Sequence, residues 1–249
     1  MNKYVMLIVV LFLSILLPPV KSFEMPESPD VNILMKALRV YAGEHVLERV
    51  MQQGEKAFSR EGKSAILTLM FIEIDTLHTQ SNKSFSEQQL AAINSSLSTV
   101  AECIYNHKGV IDSFNGVTVF AYWGLNGEVG HEKQASRCAL DCVASIAKLS
   151  QKNEKAGLPT IRIRVGIDTG NLFVGNIGSD QRMKFAVLGD HVNTAYGLTG
   201  MCRSYPDTQV LISQSTRNRL DDSFSPLLVG NVRIKGREEP LSLFSLRDK

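Results

Sequence analysis

Apolar residues in the first half of the chain recur with the periods of helices and strands. Between residues 31 and 53 they recur mostly at steps of three and four, which predicts an amphipathic helix interrupted near Gly43. Ala65–Asp75 is a nearly continuous apolar run, the pattern of a strand buried at the centre of a sheet. Residues 86–89 have the form of a capping box, and the apolar stripe after them predicts a helix that ends at Gly109.

The second half of the chain predicts more strands than helices. Asn115-Gly116 lies between two apolar segments, which is a strong signal for a β-hairpin. Helical patterns follow at about 132–149 and at 190–201. The other apolar runs predict short strands at 161–167, 172–174, 185–188, 209–212, 229–235 and 241–246. A turn near Thr169-Gly170 would join the first two of these strands. Mixed strands with two long early helices predict an α+β fold in which helices cover one sheet.

The first 22 residues have the pattern of a targeting segment. Lys3 precedes an apolar run of 14 residues, Tyr4–Leu17, and Pro18-Pro19 ends it. As a helix this run would span about 21 Å, short of the roughly 30 Å hydrocarbon core of a bilayer. The pattern predicts either a signal peptide cleaved after Ser22 or a short signal anchor that stays in the membrane. Both alternatives predict that the rest of the chain is exported or membrane-anchored.

Composition narrows the function mainly by exclusion. With 44% hydrophobic and 21% charged residues in a chain of 249, the composition is that of an ordinary globular protein. A net charge of +2, without a run of Lys and Arg, gives no basis for nucleic-acid binding. The four cysteines lack the spacing of a metal site, and a structural role as small buried thiols is favoured over a disulfide.

Five blocks of sequence carry motifs that occur together in one protein family. They are Thr68–Asp75 (T-L-M-F-I-E-I-D), Gly109–Gly124, Arg164–Gly170 with Val174–Gly178 (V-G-N-I-G), Leu188–Ala195 (L-G-D-H-V-N-T-A) and Ile234–Pro240. In this order they resemble the catalytic domain of class III adenylate and guanylate cyclases, and the resemblance extends from about Ser64 to Leu246. It implies a ferredoxin-like fold with a mixed, mainly antiparallel sheet covered by helices.

This resemblance also divides the chain into three parts. Residues 1–22 are the signal peptide or signal anchor. Residues 23–62 are a linker and an amphipathic approach helix of the kind that precedes many bacterial cyclase domains. Residues 63–249 form the cyclase homology domain.

The resemblance implies a two-metal site shared between the subunits of a dimer. In the family, two acidic residues bind two divalent metal ions, and the ribose 3′-hydroxyl attacks the α-phosphate. If the chain is active, the cofactor would be Mg²⁺ or Mn²⁺. The first metal position is Glu73, where the family has Asp, and Asp75 on the same face of the strand is a candidate substitute. The second metal position is Val117, which has no ligand atom.

The positions that would bind the nucleotide are retained only in part. Asn193 matches the ribose-orienting Asn, and Lys235 matches the Lys that binds the triphosphate. The base-reading positions fall on Ser113 and Ala186, and the transition-state Arg is replaced by Gly197. Losing such an Arg typically costs about 10³–10⁵ in rate in phosphoryl transfer. No residue is therefore assigned a catalytic role.

These replacements favour a cyclase-homology domain without catalytic activity that acts in signalling by dimerisation or partner binding. The expected partner is a second copy of the chain or another cyclase-like chain in a heterodimer, with a nucleotide as a further candidate ligand. Two alternatives stay open. One is a divergent active cyclase that makes a cyclic nucleotide with Glu73, Asp75 and Lys235, and the other is a small-ligand sensor that reuses the dimer cleft.

Overall fold

The structure, a computed structural model, describes residues 30–77, 87–232 and 240–247. The predicted signal peptide at residues 1–22 and the candidate ligand Lys235 lie outside these ranges. Within them, every helix is too short or too polar to cross a bilayer.

The described residues belong to two compact units. The first extends to Lys63 and also contains Val174–Ala186, and the second consists of Ser64–Phe173 and Val187–Lys249. The boundaries between the units fall inside three strands, Gly62–Leu77, Thr160–Gly178 and Met183–Leu188.

Two amphipathic helices form most of the first unit. They are α1 (Val31–Ala42) and α2 (Glu44–Gln53), and Gly43 between them has a φ of 93°, which confirms the predicted interruption. The Asp30 carboxylate accepts a hydrogen bond of 2.8 Å from the Asn32 backbone and so caps α1. The buried face of the pair consists of Leu34, Leu38 and Leu47.

The segment 174–186 is bound to this helical part by polar and aromatic contacts. The Asn176 side-chain amide donates to the carbonyl oxygens of Ala57 and Ser59, each at 2.7 Å. The Arg49 guanidinium lies 4.6 Å from the centre of the Phe185 ring, within cation–π distance. These contacts explain why a segment distant in sequence belongs to the first unit.

From Gly62 onwards the chain alternates between strands and helices. In chain order these are β1 (Gly62–Leu77), α3 (Glu87–Asn106), β2 (Val110–Asn115), β3 (Thr118–Trp123), α4 (His131–Lys155), β4 (Thr160–Gly178), β5 (Met183–Leu188), α5 (Asp190–Met201), β6 (Val210–Ser213), α6 (Gln214–Arg217), β7 (Leu227–Val232) and β8 (Leu241–Ser245). In the described part of the chain, the strands form one sheet in the order β2-β3-β1-β4-β6-β8-β7, with β5 paired to β4. Most pairs are antiparallel and β4 pairs with β6 in parallel, so the predicted α+β fold with a mainly antiparallel sheet is confirmed.

One face of the sheet in the second unit carries the main hydrophobic core. Alternate residues of β1 and β4 point into it, together with apolar residues of α3 and α4; they include Met70, Ile72, Ile74, Ile163, Val165, Ile167, Val100, Ile104, Ala139 and Ile146. The strand predicted at Ala65–Asp75 is therefore buried at the centre of the sheet. The intervening residues of β1, such as Phe71 and Glu73, point to the opposite face.

The turn predicted near Thr169-Gly170 is wrong, because β4 runs unbroken from Thr160 to Gly178. Gly170 is needed for close packing instead of for a turn. A Cβ atom at this position would lie 2.0 Å from Nε2 of His191 on α5. A glycine inside a strand often marks such a close approach, so the residue that suggested a turn is where α5 meets the sheet.

The predicted hairpin is confirmed, with its turn one residue later than expected. Asn115 pairs with Thr118, which leaves Gly116-Val117 as the two-residue turn. Gly116 has a φ of 61° while Val117 keeps a negative φ, as in a type II′ turn. Val117 occupies the second position of the turn, which does not require the positive φ that Gly116 provides at the first.

Replacing glycine by alanine should have opposite effects on the free energy of unfolding at two positions. Gly166→Ala should destabilise the protein by about 3 kcal/mol, because the new Cβ would lie 2.3 Å from the Ala195 carbonyl oxygen and 2.5 Å from the Thr199 nitrogen. Gly197→Ala is the control, since no atom lies within 4 Å of its Cβ position and alanine favours the interior of α5 by about 1 kcal/mol. Urea unfolding of both variants measures the difference. Equal stabilities would contradict the close packing of α5 on β4.

Candidate active site

The two carboxylates predicted to bind metal are both paired with arginines. Glu73 and Asp75 lie near the end of β1, with 23% and 33% of their side chains exposed. Arg164 on β4 donates to Asp75 over 2.6 Å, and its other terminal nitrogen lies 3.7 Å from Glu73. Arg203, which follows α5, donates to the second oxygen of Glu73. The structure thus brings Glu73 and Asp75 together as predicted, with guanidinium groups against their oxygens.

These four residues differ in how strongly water screens them. The Arg164 side chain is 15% exposed, whereas that of Arg203 is 60% exposed. The contact of Arg164 with Asp75 is therefore the better protected pair, and the contact of Arg203 with Glu73 is the weaker one. Arg164 and Arg203 also line a surface cavity of about 260 Å³ together with Arg162 and Cys202.

The position of the second metal ligand is occupied by an apolar side chain. The Ile74 nitrogen donates a hydrogen bond of 2.9 Å to the Val117 carbonyl oxygen, which holds the hairpin turn beside Glu73. The Val117 side chain is partly buried and packs against the main core. Its backbone is therefore where the resemblance places it, while its side chain contributes no oxygen.

The residues present do not fit two divalent metal ions. Mg²⁺ and Mn²⁺ need free oxygen ligands, and the carboxylates of Glu73 and Asp75 are engaged by Arg164 and Arg203. No group of three His, Cys, Asp or Glu side chains in the described ranges is arranged to hold a metal ion.

The base-reading positions do not present a hydrogen-bonding pair. The Ser113 hydroxyl donates to the neighbouring Asp112 carboxylate over 2.8 Å, next to a bulge in β2. Ala186 is buried, with 5% of its surface exposed. Neither side chain offers the free polar group that would read the edge of a base.

Asn193 is exposed on the outer face of α5. Gly197 follows one turn later, and in the described part of the chain no atom beyond its own helical turn lies within 4 Å of where its Cβ would be. Tyr196, 60% exposed, packs edge-on against Phe71 with ring centres 5.4 Å apart, and Phe71 stacks on Phe120. The outer face of α5 therefore exposes Asn193, which matches the family's ribose-orienting position, and has Gly197 at the position of the family's arginine.

Sequence reasoning missed both arginines and a second charged group in the second unit. The Asp168 carboxylate on β4 is buried and accepts hydrogen bonds from the Thr169 nitrogen (3.0 Å), Ser215 (2.7 Å) and Ser213. His191 Nδ1 lies 2.7 Å from its other oxygen. The alternation of Arg162, Arg164 and Asp168 with apolar residues along one strand was the available signal, because it puts these side chains on a single face.

The four cysteines are buried and free, in keeping with the predicted role as small buried thiols. Burial raises the pKa of the Cys202 thiol to about 11. Contact with Cys142 and burial hold the pKa of Cys103 far above its usual range. Protonated thiols are poor nucleophiles, so burial of Cys103 and Cys202 favours packing over reactivity.

Comparison with known sequences identifies related cyclases over most of the chain. "Adenylate cyclase 1" of Rhizobium meliloti (strain 1021) is 32% identical over 183 residues, which are 72% of this chain and 27% of that protein. "Adenylate cyclase" of Anabaena cylindrica is 26% identical over 188 residues, which are 73% of this chain and 36% of that protein. The chain thus spans about a third of the length of these relatives, or less.

Solved cyclase structures share the fold. The guanylyl cyclase Cya2 aligns with a TM-score of 0.65 and 25% identity over 74% of this chain and 93% of that one. The adenylyl cyclase CyaB from P. aeruginosa aligns with the same TM-score and identity over 76% of this chain and 97% of that one. The family model of the adenylate and guanylate cyclase catalytic domain matches residues 60–247. The chain therefore belongs to the adenylate and guanylate cyclase catalytic domain family.

Proposed function

We propose that this chain is a cyclase-homology domain that does not turn over nucleotide and acts in signalling by dimerisation or partner binding. One observation carries the proposal: Arg164 and Arg203 engage the carboxylates of Glu73 and Asp75, the two residues available to bind metal. A guanidinium group neutralises a carboxylate without offering the open coordination position that a reacting phosphate needs.

The replacements affect both halves of a shared site. Val117 removes a carboxylate from the half that would hold the metals, and Gly197 removes a guanidinium from the half that would stabilise the transition state. In a homodimer each site would lack both groups. Such an arginine typically accounts for about 10³–10⁵ in rate in phosphoryl transfer, so turnover would be slower by about that factor even if nucleotide bound.

Pairing with a second domain is the role that the proposal assigns in place of turnover. Class III cyclase domains function as dimers, and one solved neighbour, 18% identical, is described as a non-canonical dimeric guanylyl cyclase domain. Among the residues that the structure describes, Asn193 and Tyr196 on the outer face of α5 are exposed. A surface of this kind supports a role in which the domain pairs with a second copy or with another cyclase-like chain.

A divergent active cyclase is the second candidate. It is favoured by Asn193, which is exposed and matches the ribose-orienting residue, and by relatives named adenylate cyclase. In that case Mg²⁺ or Mn²⁺ would have to displace the arginines from Glu73 and Asp75.

An activity assay separates the two candidates. The full chain is incubated with ATP or GTP and Mg²⁺ or Mn²⁺, beside an active cyclase domain as positive control. We expect no cyclic nucleotide above the level of a Glu73→Ala variant, and a dimer in analytical ultracentrifugation. Cyclic product that disappears in Glu73→Ala would overturn the proposal in favour of the active cyclase. A chain that is monomeric at its highest soluble concentration and binds no partner would refute the role in dimerisation.

A further inference from the structure

Three buried threonine hydroxyls form a continuous chain across the second unit. Thr68 Oγ1 on β1 lies 2.9 Å from Thr169 Oγ1 on β4, which lies 3.0 Å from Thr216 Oγ1 on α6. All three residues are fully buried. A hydroxyl donates one hydrogen bond and accepts others, so neighbouring hydroxyls in such a chain all donate in the same direction. Reversing one of them reverses the others.

One end of the chain meets a histidine. Nδ1 of His131, the first residue of α4, lies 2.8 Å from Thr68 Oγ1. His131 is 7% exposed, so water is a poor substitute for this partner. A neutral imidazole with its proton on Nε2 accepts at Nδ1, whereas a protonated imidazolium donates there. The charge of His131 therefore decides in which direction the threonines donate.

The other end of the row of threonine hydroxyls contacts the Asp168 cluster, which consists of the Asp168 carboxylate and its partners Ser213, Ser215 and His191. Ser213 Oγ lies 3.3 Å from Thr216 Oγ1 and donates to the Asp168 carboxylate, which only accepts. The second Asp168 oxygen contacts Nδ1 of His191, the second residue of α5. These hydrogen bonds thus connect the beginning of α4 to the beginning of α5.

Two hydrogen-bonding states follow from these contacts. With neutral His131, Thr216 donates to Thr169, Thr169 to Thr68, and Thr68 to His131. With protonated His131 the ring donates to Thr68, each threonine donates to the next, and Thr216 donates to Ser213. Protonation forms an N–H bond at Nδ1 of His131 with a proton from solvent, and beyond that bond only hydroxyl rotations are needed. A donor that itself accepts a hydrogen bond is polarised and donates more strongly, so the second state strengthens the bond of Ser213 to Asp168.

We propose that this row of threonine hydroxyls couples the protonation of His131 to the contact between Asp168 and His191 that holds the start of α5. The coupling acts on the helix that carries Asn193, and it does not depend on whether the domain turns over nucleotide. It provides a device by which acidity changes the face through which the domain would meet a partner or ligand.

The surroundings of His131 place this transition on the acidic side of its usual range. Burial lowers the pKa of His131, and Arg219 lowers it further, while Glu132 and Glu128 act in the opposite direction. Glu132 lies 3.5 Å from His131 Nε2 and 3.3 Å from Arg219, so part of its charge is compensated. The pKa of His131 therefore lies below that of a free imidazole, and the ring takes up its proton at lower pH than an exposed histidine does.

The NMR signal of His191 tests the coupling. In the full chain with ¹³C-labelled histidine, the His191 Cε1–H signal, assigned with a His191→Asn variant, is followed as pH is lowered. We expect the wild-type His191 signal to change in the same pH range in which the His131 signal reports protonation. Thr169→Val breaks the chain of hydroxyls and should remove this shared change, while Thr169→Ser keeps the hydroxyl and should retain it.

A second variant covers the case in which Thr169→Val does not fold. His131→Gln keeps donors and acceptors next to Thr68 but does not titrate, so it should also remove the shared change of the His191 signal. A His191 signal that responds to pH identically in the wild type, Thr169→Val and His131→Gln would overturn the proposal. Loss of the shared change in His131→Gln but not in Thr169→Val would also overturn it, since the coupling would then bypass the threonines.

Discussion

Asp168→Ala is expected to lower the free energy of unfolding by about 3–5 kcal/mol, because it removes a buried charged acceptor from several donors at once. Ser213 is fully buried and would lose its carboxylate partner, and water does not reach it. Ser215 and the Thr169 nitrogen would lose theirs as well. His191 would lose the contact that ties the start of α5 to β4.

The matched control is Asp180→Ala. Asp180 also forms an ion pair, at 2.6 Å with Arg60, but its side chain is 97% exposed. Surface pairs contribute about 0–1 kcal/mol, so this variant should unfold close to the wild type. Urea unfolding monitored through the single Trp123, which is buried in the core, reports both variants. If Asp168→Ala falls within about 1 kcal/mol of Asp180→Ala, the Asp168 cluster is not a stabilising element.

Asp168→Asn refines the interpretation of this experiment. Asparagine keeps the volume of the side chain and one carbonyl oxygen, so Ser213 and Ser215 retain an acceptor. The amide nitrogen would face His191, which accepts it only by moving its own proton to Nε2. We therefore expect a loss between those of the two alanine variants, and hydrogen exchange should be fastest at the start of α5.

The elements that sequence predicted well are those in which one local pattern decides the structure. Ala65–Asp75 reads as a buried strand because almost every residue in it is apolar, and it lies at the sheet centre. Asn115-Gly116 predicts the hairpin because the turn needs a positive φ, which Gly116 has. The helix predicted to begin at Asp190 and extend towards Met201 has the bounds of α5.

The candidate site was harder to predict because its contacts join distant parts of the chain. Glu73 and Asp75 could be named from a motif, but their pairing with Arg164 depends on how β1 aligns with β4. Gly170 suggested a turn because a single sequence does not show the imidazole of His191 packed against it. Such pairings follow from strand register and helix packing, which no local period encodes.

The Arg203→Ala/Val117→Asp double variant is expected to bind Mn²⁺ about 100-fold more tightly than the wild type, a gain of roughly 2.7 kcal/mol. Removing Arg203 releases one oxygen of Glu73, and because this arginine is 60% exposed the fold should tolerate its loss. The new carboxylate at position 117 would stand in the hairpin turn that Ile74 holds beside Glu73. Two carboxylates with fewer nearby cations form a site for a hard divalent ion.

Arg162→Ala is the control for the loss of a positive charge. Arg162 lines the same cavity as Arg203, yet it donates to the Pro206 carbonyl oxygen (2.8 Å) and not to a carboxylate. Its removal should leave Mn²⁺ binding within about twofold of the wild type, since a general change in charge is largely screened. Free Mn²⁺ is measured by electron paramagnetic resonance in a titration of each protein.

The comparison decides what excludes the metal from this domain. If the double variant binds Mn²⁺ and each single variant gains only part of the affinity, both the guanidinium of Arg203 and the missing carboxylate at Val117 oppose binding. If the wild type already binds Mn²⁺ tightly and Glu73→Ala abolishes it, the arginines yield to the ion, and the divergent cyclase becomes the better interpretation. If the double variant binds no better than Arg162→Ala, Arg164 alone holds Glu73 and Asp75 in a closed arrangement. Arg164, whose side chain is 15% exposed, would then be the residue that prevents Mn²⁺ binding.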